Sequence, residues 1–265
     1  MKNLLPHLFL IATLHASPAW VAQLSSAQPG PHPAISPSTL DFSLSWQGML
    51  KAGSLQIDFA PENAKKPGSL VIQSSASSQG AAAALFPFQH THWSEINPTT
   101  LAAKFFNSTE IDSRESITTT NRYTRSHVSI TELTTSLKSK TTTTKSFKLP
   151  FAPTYDLYSA ILFIRSQPLK IGEEHTLLLQ PFASPLLLKV RVEAREKHLD
   201  RSAIRLSFFL RKIDRETFAL QPYQKLKKPV TVWLSDDTDR VPIELRAAVY
   251  IGDVRAILTR FVKHP

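Results

Sequence analysis

The chain has 265 residues, of which 42% are hydrophobic and 20% charged, with a formal net charge of +10 and no cysteine. This length allows one large β domain, or two smaller ones, with a sizeable core. The lack of cysteine excludes disulfides, thiol chemistry and the cysteine-linked lipid anchor of bacterial lipoproteins. Beyond the N-terminal run, no segment reaches the roughly 18 apolar residues that a membrane-spanning helix needs.

The N-terminus has the pattern of a secretory signal peptide. A lysine and a short apolar run are followed by small residues at Ser17 and Ala19. We therefore predict a signal peptide over residues 1–19, cleaved after Ala19 or, as the poorer alternative, after Ala22. A buried N-terminal helix is the competing interpretation, which an early proline disfavours. Residues 20–39 are rich in Pro and Ser and predict a disordered or extended linker.

The next part of the chain alternates short apolar and polar runs. Residues 40–59 predict two strands around a glycine-containing turn, and residues 69–77 predict a third. The segment GAAAALF at 80–86 predicts a minor helix, since alanine favours helices and Pro87 ends it. A strand-like pattern then resumes over residues 93–106.

Threonine, serine and charged residues dominate positions 110–147. Threonine-rich runs with interspersed β-branched and aromatic residues predict exposed antiparallel strands rather than helices. For residues 134–145 a mucin-like or unstructured tract is the alternative.

Residues 155–166 have apolar side chains at helical spacing and predict the main helix. Thr154 precedes them as the expected N-cap residue, and a proline follows the helix. We expect Leu157 and Ile161 to be buried against a sheet or across one of its openings. Arg165 falls near the helix C-terminus, where a cation suits the helix dipole.

The segment KPVTVWLSDDTDRVPIELRAAVYIG near the C-terminus predicts two strands around a polar turn. Val230, Val232 and Leu234 lie on one face of the first strand. Residues 236–239 supply turn chemistry, and residues 241–251 alternate again. With the other alternating runs, this predicts an all-β, mainly antiparallel single domain. It would be a curved or β-barrel-like sheet with one main and one minor helix.

Two clusters could hold a metal ion, but each has a simpler structural interpretation. His90 and His92 would share one face of a strand, yet no full ligand set accompanies them. Asp236, Asp237 and Asp239 resemble the start of a calcium loop without its downstream ligands, and turn capping explains them better. The sequence contains no common catalytic or phosphate-binding motif. We therefore predict no metal, no cofactor and no enzymatic activity.

Most of the positive charge falls between residues 189 and 228, where twelve basic residues face five acidic ones. Alternation places these bases opposite apolar residues, so a solvated outer face is the favoured interpretation. An anionic envelope surface is the alternative partner, and we expect no nucleic acid.

The order of several segments resembles a known family. These segments are W-x-G at 46–48, FPFQHTHWSEINPTTLAAKFF, DLYSAILFIRSQPLKIGE and VWLSDDTDRVPIELRAAVYIG. Together they are similar to the bacterial envelope family called domain of unknown function 3108, over residues 40–262. The Thr-rich segment at 110–147 departs from the alternating strand pattern that is typical of the family. The resemblance implies a secreted, mainly antiparallel β-barrel-like domain and implies no activity.

Three functional hypotheses follow for a periplasmic or secreted protein. The first is a non-enzymatic protein that binds an apolar or amphiphilic envelope molecule, such as a lipid, in a concave sheet. The second is a structural or interaction protein that uses its basic face, and the third is a hydrolase assembled from distant residues. Candidate binding residues are Arg165, Trp233, Asp237 and Arg240. An open apolar lumen would favour the first hypothesis, and a filled one the second.

The turn at 236–239 also suggests a structural role. The following strand begins near Pro242, which lacks a backbone donor, so strand register is weakly fixed there. We hypothesise that Asp236, Asp237 and Arg240 form a lock, in which a carboxylate accepts turn N–H groups and pairs with the arginine.

Overall fold

The computed structural model describes residues 17–32, 35–61, 64–182, 184–249 and 252–264. Most of the predicted signal peptide, residues 1–16, lies outside the described residues. The described residues contain three helices: a 3-10 helix at Ala19–Gln23, α1 at Gly80–Leu85 and α2 at Leu157–Ser166. The strands are β1 Ser38–Trp46, β2 Leu50–Phe59, β3 Leu70–Ser78, β4 Gln89–Ile96, β5 Ala103–Ile111, β6 Glu115–Tyr123, β7 Val128–Ser136, β8 Thr142–Leu149, β9 Glu174–Leu179, β10 Leu186–His198, β11 Arg201–Ile213, β12 Leu220–Pro222, β13 Val230–Ser235, β14 Pro242–Val249 and β15 Gly252–Lys263.

These strands form one sheet in which every ladder between named strands is antiparallel. Its order is β8-β7-β6-β5-β4-β3-β2-β1-β15-β14-β13-β11-β10-β9, and β12 pairs with β11. Hairpins connect most neighbours, and β1 pairs with β15 to join the two halves of the sheet. The predicted fold class, antiparallel all-β with one main and one minor helix, is confirmed.

The sheet rolls up until its two edges overlap. Val128, Ile130 and Leu149, on the concave face of β7 and β8, form one core cluster with Leu178 and Leu187. The last two project from the convex face of β9 and β10, because their neighbours along each strand join the inner core. The β8 edge therefore covers the outside of β9 and β10 through side-chain packing.

Polar side chains also hold the rolled edges together. The Asn121 Nδ2 and Tyr123 Oη atoms, both on β6, donate to the carbonyl oxygen of Gln180, at 2.9 and 2.6 Å. Gln180 directly follows β9, the last strand of the sheet. These bonds satisfy a carbonyl that an edge strand would otherwise present to the interior.

The hairpins divide the rolled sheet into two ends. The β1–β2, β3–β4, β5–β6, β7–β8 and β14–β15 connections lie at one end, which we call the rim end. The β2–β3, β4–β5, β10–β11 and β13–β14 connections lie at the other, the base end. Helix α2 runs through the concavity toward the base end, where Arg165 contacts the β13–β14 turn. The helix thus fills the base half of the concavity and leaves the rim half open.

A buried capping box starts α2. The Asp156 carboxylate accepts from the Ser159 N–H at 2.7 Å, and the Ser159 hydroxyl accepts from the Asp156 N–H at 2.9 Å. Ser94 on β4 donates to the same carboxylate. Burial raises the pKa of Asp156, against the opposing effect of these hydrogen bonds. The prediction that Thr154 is the N-cap is wrong. Its hydroxyl donates instead to the carbonyl of Phe151 at 2.8 Å.

Helix α2 is buried on two sides because the sheet curves around it. Phe163 faces the core of β9–β13, and Leu162 faces the core of β1–β4. The prediction that Leu157 is buried is wrong, since it is 36% exposed, and Ile161 is only partly buried. Helical spacing identified an apolar stripe but could not show that sheet would surround the helix.

The Thr-rich segment forms β6, β7 and β8, so the strand prediction for 110–147 is confirmed. Cross-strand threonine hydroxyls contact each other, for example Thr109 with Thr118 at 3.1 Å and Thr135 with Thr142 at 2.9 Å. The alternative of a mucin-like or unstructured tract over residues 134–145 is wrong, because these residues form the end of β7, a short turn and the start of β8.

The predicted linker is not disordered where the structure describes it, because it begins with the 3-10 helix and then hydrogen-bonds to the rest of the domain at Ser25 and His32. Trp20 is 3% exposed and joins the core beneath β7–β10, with its indole N–H donating to the Phe218 carbonyl at 2.9 Å. The Ser25 N–H donates to the Thr176 carbonyl at 2.9 Å. The segment therefore covers β9 and belongs to the folded domain. Strand β1 then begins at Ser38, within the predicted linker range.

Candidate functional site

The open rim half of the concavity contains a cavity of about 630 Å³, which we call the mouth cavity. This volume lies in the range of small-molecule sites. Strands β5, β6 and β7 form one wall, and the β9–β10 loop with the ends of β10, β11 and β12 forms the other. The lining residues are Glu110, Ile117, Thr119, Glu132, Pro181, Phe182, Ser184, Leu186, Lys212, Gln221, Pro222, Tyr223, Gln224 and Lys225.

The lining combines an apolar surface with charges of both signs. Ile117, Phe182 and Leu186 supply apolar contacts. Carboxylates come from β5 and β7, and ammonium groups come from β11 and from the segment after β12. Such a lining suits a ligand with an apolar part and a polar head rather than a purely apolar one.

Residues 223–228 cross the open end beside the cavity. Leu226 forms a bridge with Val249 on β14, and the Lys227 N–H donates to the Ala248 carbonyl at 2.8 Å. Burial raises the pKa of Tyr223, and the negative charge of Glu110 on the facing wall raises it further. The segment therefore brings a tyrosine close to a carboxylate from the opposite half of the sheet.

Aromatic rings extend from the rim into the concavity. The His90 ring lies 6.3 Å from Phe88 and 6.0 Å from Phe182, measured between ring centroids. Phe182 lies 6.0 Å from Phe106, which is fully buried. His90 Nδ1 also lies 3.5 Å from a Glu110 carboxylate oxygen. Phe182 thus separates the mouth cavity from the packed interior.

His92 lies below this aromatic layer. Its ring contacts Phe106 and Tyr158 edge-on, with centroids 4.5 and 4.6 Å apart. Burial, and to a lesser extent the neighbouring His90, lowers the pKa of His92 to about 3. Its Nε2 atom has no hydrogen-bond partner in the part of the chain that the structure describes.

The two histidines lie on one strand face, as predicted, and their rings stack at a centroid distance of 6.0 Å. Among the described residues, no group of three His, Cys, Asp or Glu side chains is placed to hold a metal ion.

Three of the four predicted site residues, Arg165, Asp237 and Arg240, meet at the base end instead. One Asp237 oxygen accepts from the Ser235 hydroxyl at 2.8 Å, and from the N–H groups of Asp239 and Arg240 at 2.9 and 3.0 Å. Burial alone would raise the pKa of Asp237, but these hydrogen bonds outweigh it and lower the pKa. Asp237 therefore caps the turn.

The hypothesis that Arg240 pairs with a turn carboxylate is wrong, because the structure gives its side chain other partners. The Arg240 guanidinium donates to the carbonyls of Arg165, at 2.9 Å, and of Gln167, at the C-terminal end of α2. It also contacts His32 Nε2 at 2.8 Å. No carboxylate oxygen of the described residues lies within 4 Å of it, while Asp236 pairs with Arg195. The turn fastens the helix end, because unpaired helical carbonyls attract a cation.

Trp233 lies apart from the other candidates, on the convex face. Its ring stacks on His198 at a centroid distance of 4.1 Å, and its Nε1 donates to Glu196 at 2.8 Å. His198 contacts the buried Glu244 at 2.6 Å, and Arg246 lies over the tryptophan ring. Burial would raise the pKa of Glu244, but hydrogen bonds from Arg246 and His198 lower it.

This arrangement corrects the simple alternation expected for residues 241–251. A register shift between Trp233 and Leu234 places Ile243 in the same convex-face cluster as Trp233, whereas Val241 joins the inner core. The bulge lets two successive residues, Ile243 and Glu244, pack beside the tryptophan.

The basic strands β10 and β11 have acidic partners across their convex face. Lys189 pairs with Glu174 at 2.8 Å, and Arg205 pairs with Glu196 at 3.3 Å. Arg195, which lies on the concave side beside Ile204, also has an acidic partner, Asp236. These contacts favour the solvated-face interpretation of the charge excess.

None of the four predicted candidates lines the mouth cavity. Sequence reasoning missed its charged residues, although a signal was present. Glu132 has the same strand parity as the buried Val128 and Ile130, and Glu110 has that of Phe106. An acid at an inward position of a strand indicates an unusual interior.

None of the helices in the described part of the chain is long and apolar enough to cross a membrane. No curated protein is significantly similar in sequence. A β-barrel-like protein of the DUF1849 family from Brucella abortus has a similar structure, with a TM-score of 0.57 and 8% identity, covering 87% of this chain and 99% of that one. This identity supports the fold alone. A protein with a YmcC-like fold from Bacteroides fragilis aligns with a TM-score of 0.32 and 7% identity, over 89% and 100% of the two chains.

The family comparison agrees with the resemblance carried by the sequence segments. A model described as a protein of unknown function, DUF3108, matches residues 41–259. This range contains β2 to β14 completely, and β1 and β15 in part. The match therefore covers both halves of the rolled sheet, helix α2 and the mouth cavity. This chain belongs to the DUF3108 family.

Proposed function

We propose that this chain is a secreted, non-enzymatic protein of the bacterial envelope that binds a small amphiphile in the mouth cavity. The observation that carries the proposal is the mixed lining of that cavity, with apolar side chains beside lysines and carboxylates. The apolar part of a ligand would contact Ile117 and Phe182, and its head would lie near the charged rim. Burial of an acyl chain supplies about 0.8 kcal/mol for each CH₂ group.

The charges suggest which head group is favoured. Glu110 and Glu132 oppose a singly anionic head, whereas Lys212 and Lys225 oppose a singly cationic one. A head group that carries both charges can satisfy both walls without leaving one charge unpaired. We therefore expect a zwitterionic amphiphile to bind more tightly than an anionic one with the same chain.

The half-filled concavity supports this function over pure scaffolding. Helix α2 occupies the base half, so the sheet does not need the rim half for its core. Secretion is supported by the N-terminal sequence pattern, which has a lysine, an apolar run and small residues before Trp20. The buried Asp156 caps α2 and accepts a hydrogen bond from Ser94, so we assign both side chains a structural role rather than a place in a hydrolase site.

Titration calorimetry with lysophosphatidylethanolamine and lysophosphatidylglycerol of equal chain length tests the proposal. We expect the zwitterionic lipid to bind more tightly, and native mass spectrometry of the purified protein to show a co-purifying amphiphile. Ile117→Trp should fill the cavity and weaken binding at least tenfold. Thr118→Trp, on the other face of the same strand, is the matched control. Equal binding by both variants, or no binding by the wild type, would show that the cavity has another role.

A further inference from the structure

A patch of exposed apolar side chains lies at the rim end, outside the mouth cavity. It comes from the β1–β2 turn and from α1 with the residues that follow it. We call it the rim patch, and its members are Met49 at 78% exposure, Leu50 at 66%, Leu85 at 71%, Phe86 at 61% and Phe88 at 40%. Single exposed apolar residues are common, but grouped ones indicate an interaction surface.

Hydrogen bonds hold the two segments of the rim patch next to each other. The Gln79 N–H, just before α1, donates to the Ala52 carbonyl on β2 at 2.9 Å. The Gln79 side-chain amide donates to the Ser54 hydroxyl at 2.8 Å. Helix α1 therefore starts beside the strand that leaves the β1–β2 turn, and Leu50 begins that strand.

The segment around α1 has no polar side chain to face water. Residues 80–88 read GAAAALFPF, and α1 has no buried residue. A helix of six residues gains little stability by itself in water. The apolar side chains of this segment therefore neither pack in the core nor improve solubility. We infer that they contact an apolar surface outside the protein.

Local charges fit an anionic partner. Residues 42–57 and 68–94 contain no aspartate or glutamate, and Lys51 directly follows Leu50. The Arg255 guanidinium lies against Gly48 in the same turn. Asp253, and Asp112 and Glu115 at the β5–β6 connection, bring carboxylates to the rim end as well. The exposed Lys138 and Lys140 at the β7–β8 connection oppose them, and the whole chain carries a formal charge of +10.

We propose that the rim patch docks on a lipid bilayer that contains anionic head groups. Leu85 and Phe86 enter the head-group region, and Lys51 and Arg255 lie beside the phosphates. Large apolar side chains with flanking cations are the features that bind proteins to such interfaces. The patch lies at the same end as the mouth cavity, so docking would bring that cavity toward the bilayer. The inference uses different residues from the proposed function and stands without it.

Flotation with vesicles tests the proposal, using the full chain as purified from the expressing cells. We expect binding to phosphatidylcholine vesicles that contain phosphatidylglycerol, and weaker binding to phosphatidylcholine alone. The double change Leu85→Ser and Phe86→Ser should reduce partitioning at least tenfold. Its matched control is Ile171→Ser with Leu199→Ser, which are 64% and 48% exposed at the base end. Any contribution of the N-terminal residues is the same in both variants.

Two results would overturn the proposal. One is equal vesicle binding by the rim and control variants. The other is self-association of the wild type, measured by light scattering, that the rim variant abolishes while vesicle binding is unchanged. A second copy would then be the occupant of the patch. Lysolipid binding in the cavity should be unaffected by the rim variant, so failure of one proposal is distinguishable from failure of the other.

Discussion

Arg240 donates from its guanidinium to the main-chain carbonyl of Arg165 at 2.9 Å, which joins the β13–β14 turn to the last turn of α2. In the opposite direction, Arg165 Nε donates to the Asp239 carbonyl at 2.6 Å. Arg240 thus donates to the backbone of Arg165, and Arg165 donates to the backbone of Asp239, the residue before Arg240. Burial lowers the pKa of both side chains, that of Arg165 to about 10. Both remain charged near neutral pH, and the carbonyls partly compensate the charge.

Replacing Arg240 with alanine should lower the free energy of unfolding by about 2–4 kcal/mol, because several buried carbonyls lose their donor. Arg240→Lys should recover only part of this loss, since one ammonium cannot reproduce the guanidinium fork. Chemical denaturation measures both. The double change with Asp237→Ala should be less than additive, because Asp237 holds the turn that positions Arg240. If both single variants unfold like the wild type, the cluster is not a structural fastening.

The position of α2 inside the rolled sheet predicts unequal effects of two leucines on one helix. Leu162 is 1% exposed, and Leu162→Ala should destabilise the protein by about 2–5 kcal/mol. Leu157 is 36% exposed, and Leu157→Ala should cost less than about 1 kcal/mol. Urea unfolding of the two variants compares them directly. Similar losses would mean that the helix is rotated relative to this structure.

His92 predicts acid sensitivity. Its pKa is lowered from 6.5 to about 3, so the unfolded chain takes up a proton at higher pH than the folded one. The contribution of neutral His92 to the free energy of unfolding is therefore complete above about pH 6.5. It is lost as the pH falls toward 3. His92→Gln should reduce the slope of unfolding free energy against pH by about 1.4 kcal/mol per unit in this window. His127→Gln, at a partly exposed position between β6 and β7, is the control, and an unchanged slope in the His92 variant would contradict the prediction.

The packing of Trp20 predicts where the proposed signal peptide would be removed. Its buried indole packs edge-on against Phe151 at a centroid distance of 4.9 Å, so Trp20→Ala should cost about 3–5 kcal/mol. Cleavage after Ala22 would remove this side chain, whereas cleavage after Ala19 keeps it. We therefore expect envelope-extracted protein to begin at Trp20. N-terminal sequencing measures this, and a chain that still begins at Met1 would refute secretion by this route.

The sequence by itself determined the type and the approximate position of the main elements. Alternation with period two separated Val232 from Trp233, and the structure places them in the inner and the convex-face clusters. Helical spacing located α2 within two residues. These features depend on local geometry, because strands and helices impose fixed side-chain periods on neighbouring residues.

Only the tertiary structure decided what meets across the rolled sheet. Glu110 and Lys212 lie far apart in sequence, and they line one cavity because the curvature of the sheet brings β5 and β11 to facing walls. Arg240 acts on a helix end more than seventy residues away rather than on the nearby Asp237. Periodicity contains no information about curvature or edge overlap, which depend on the packing of every strand together. The candidate site therefore could not be predicted from spacing alone.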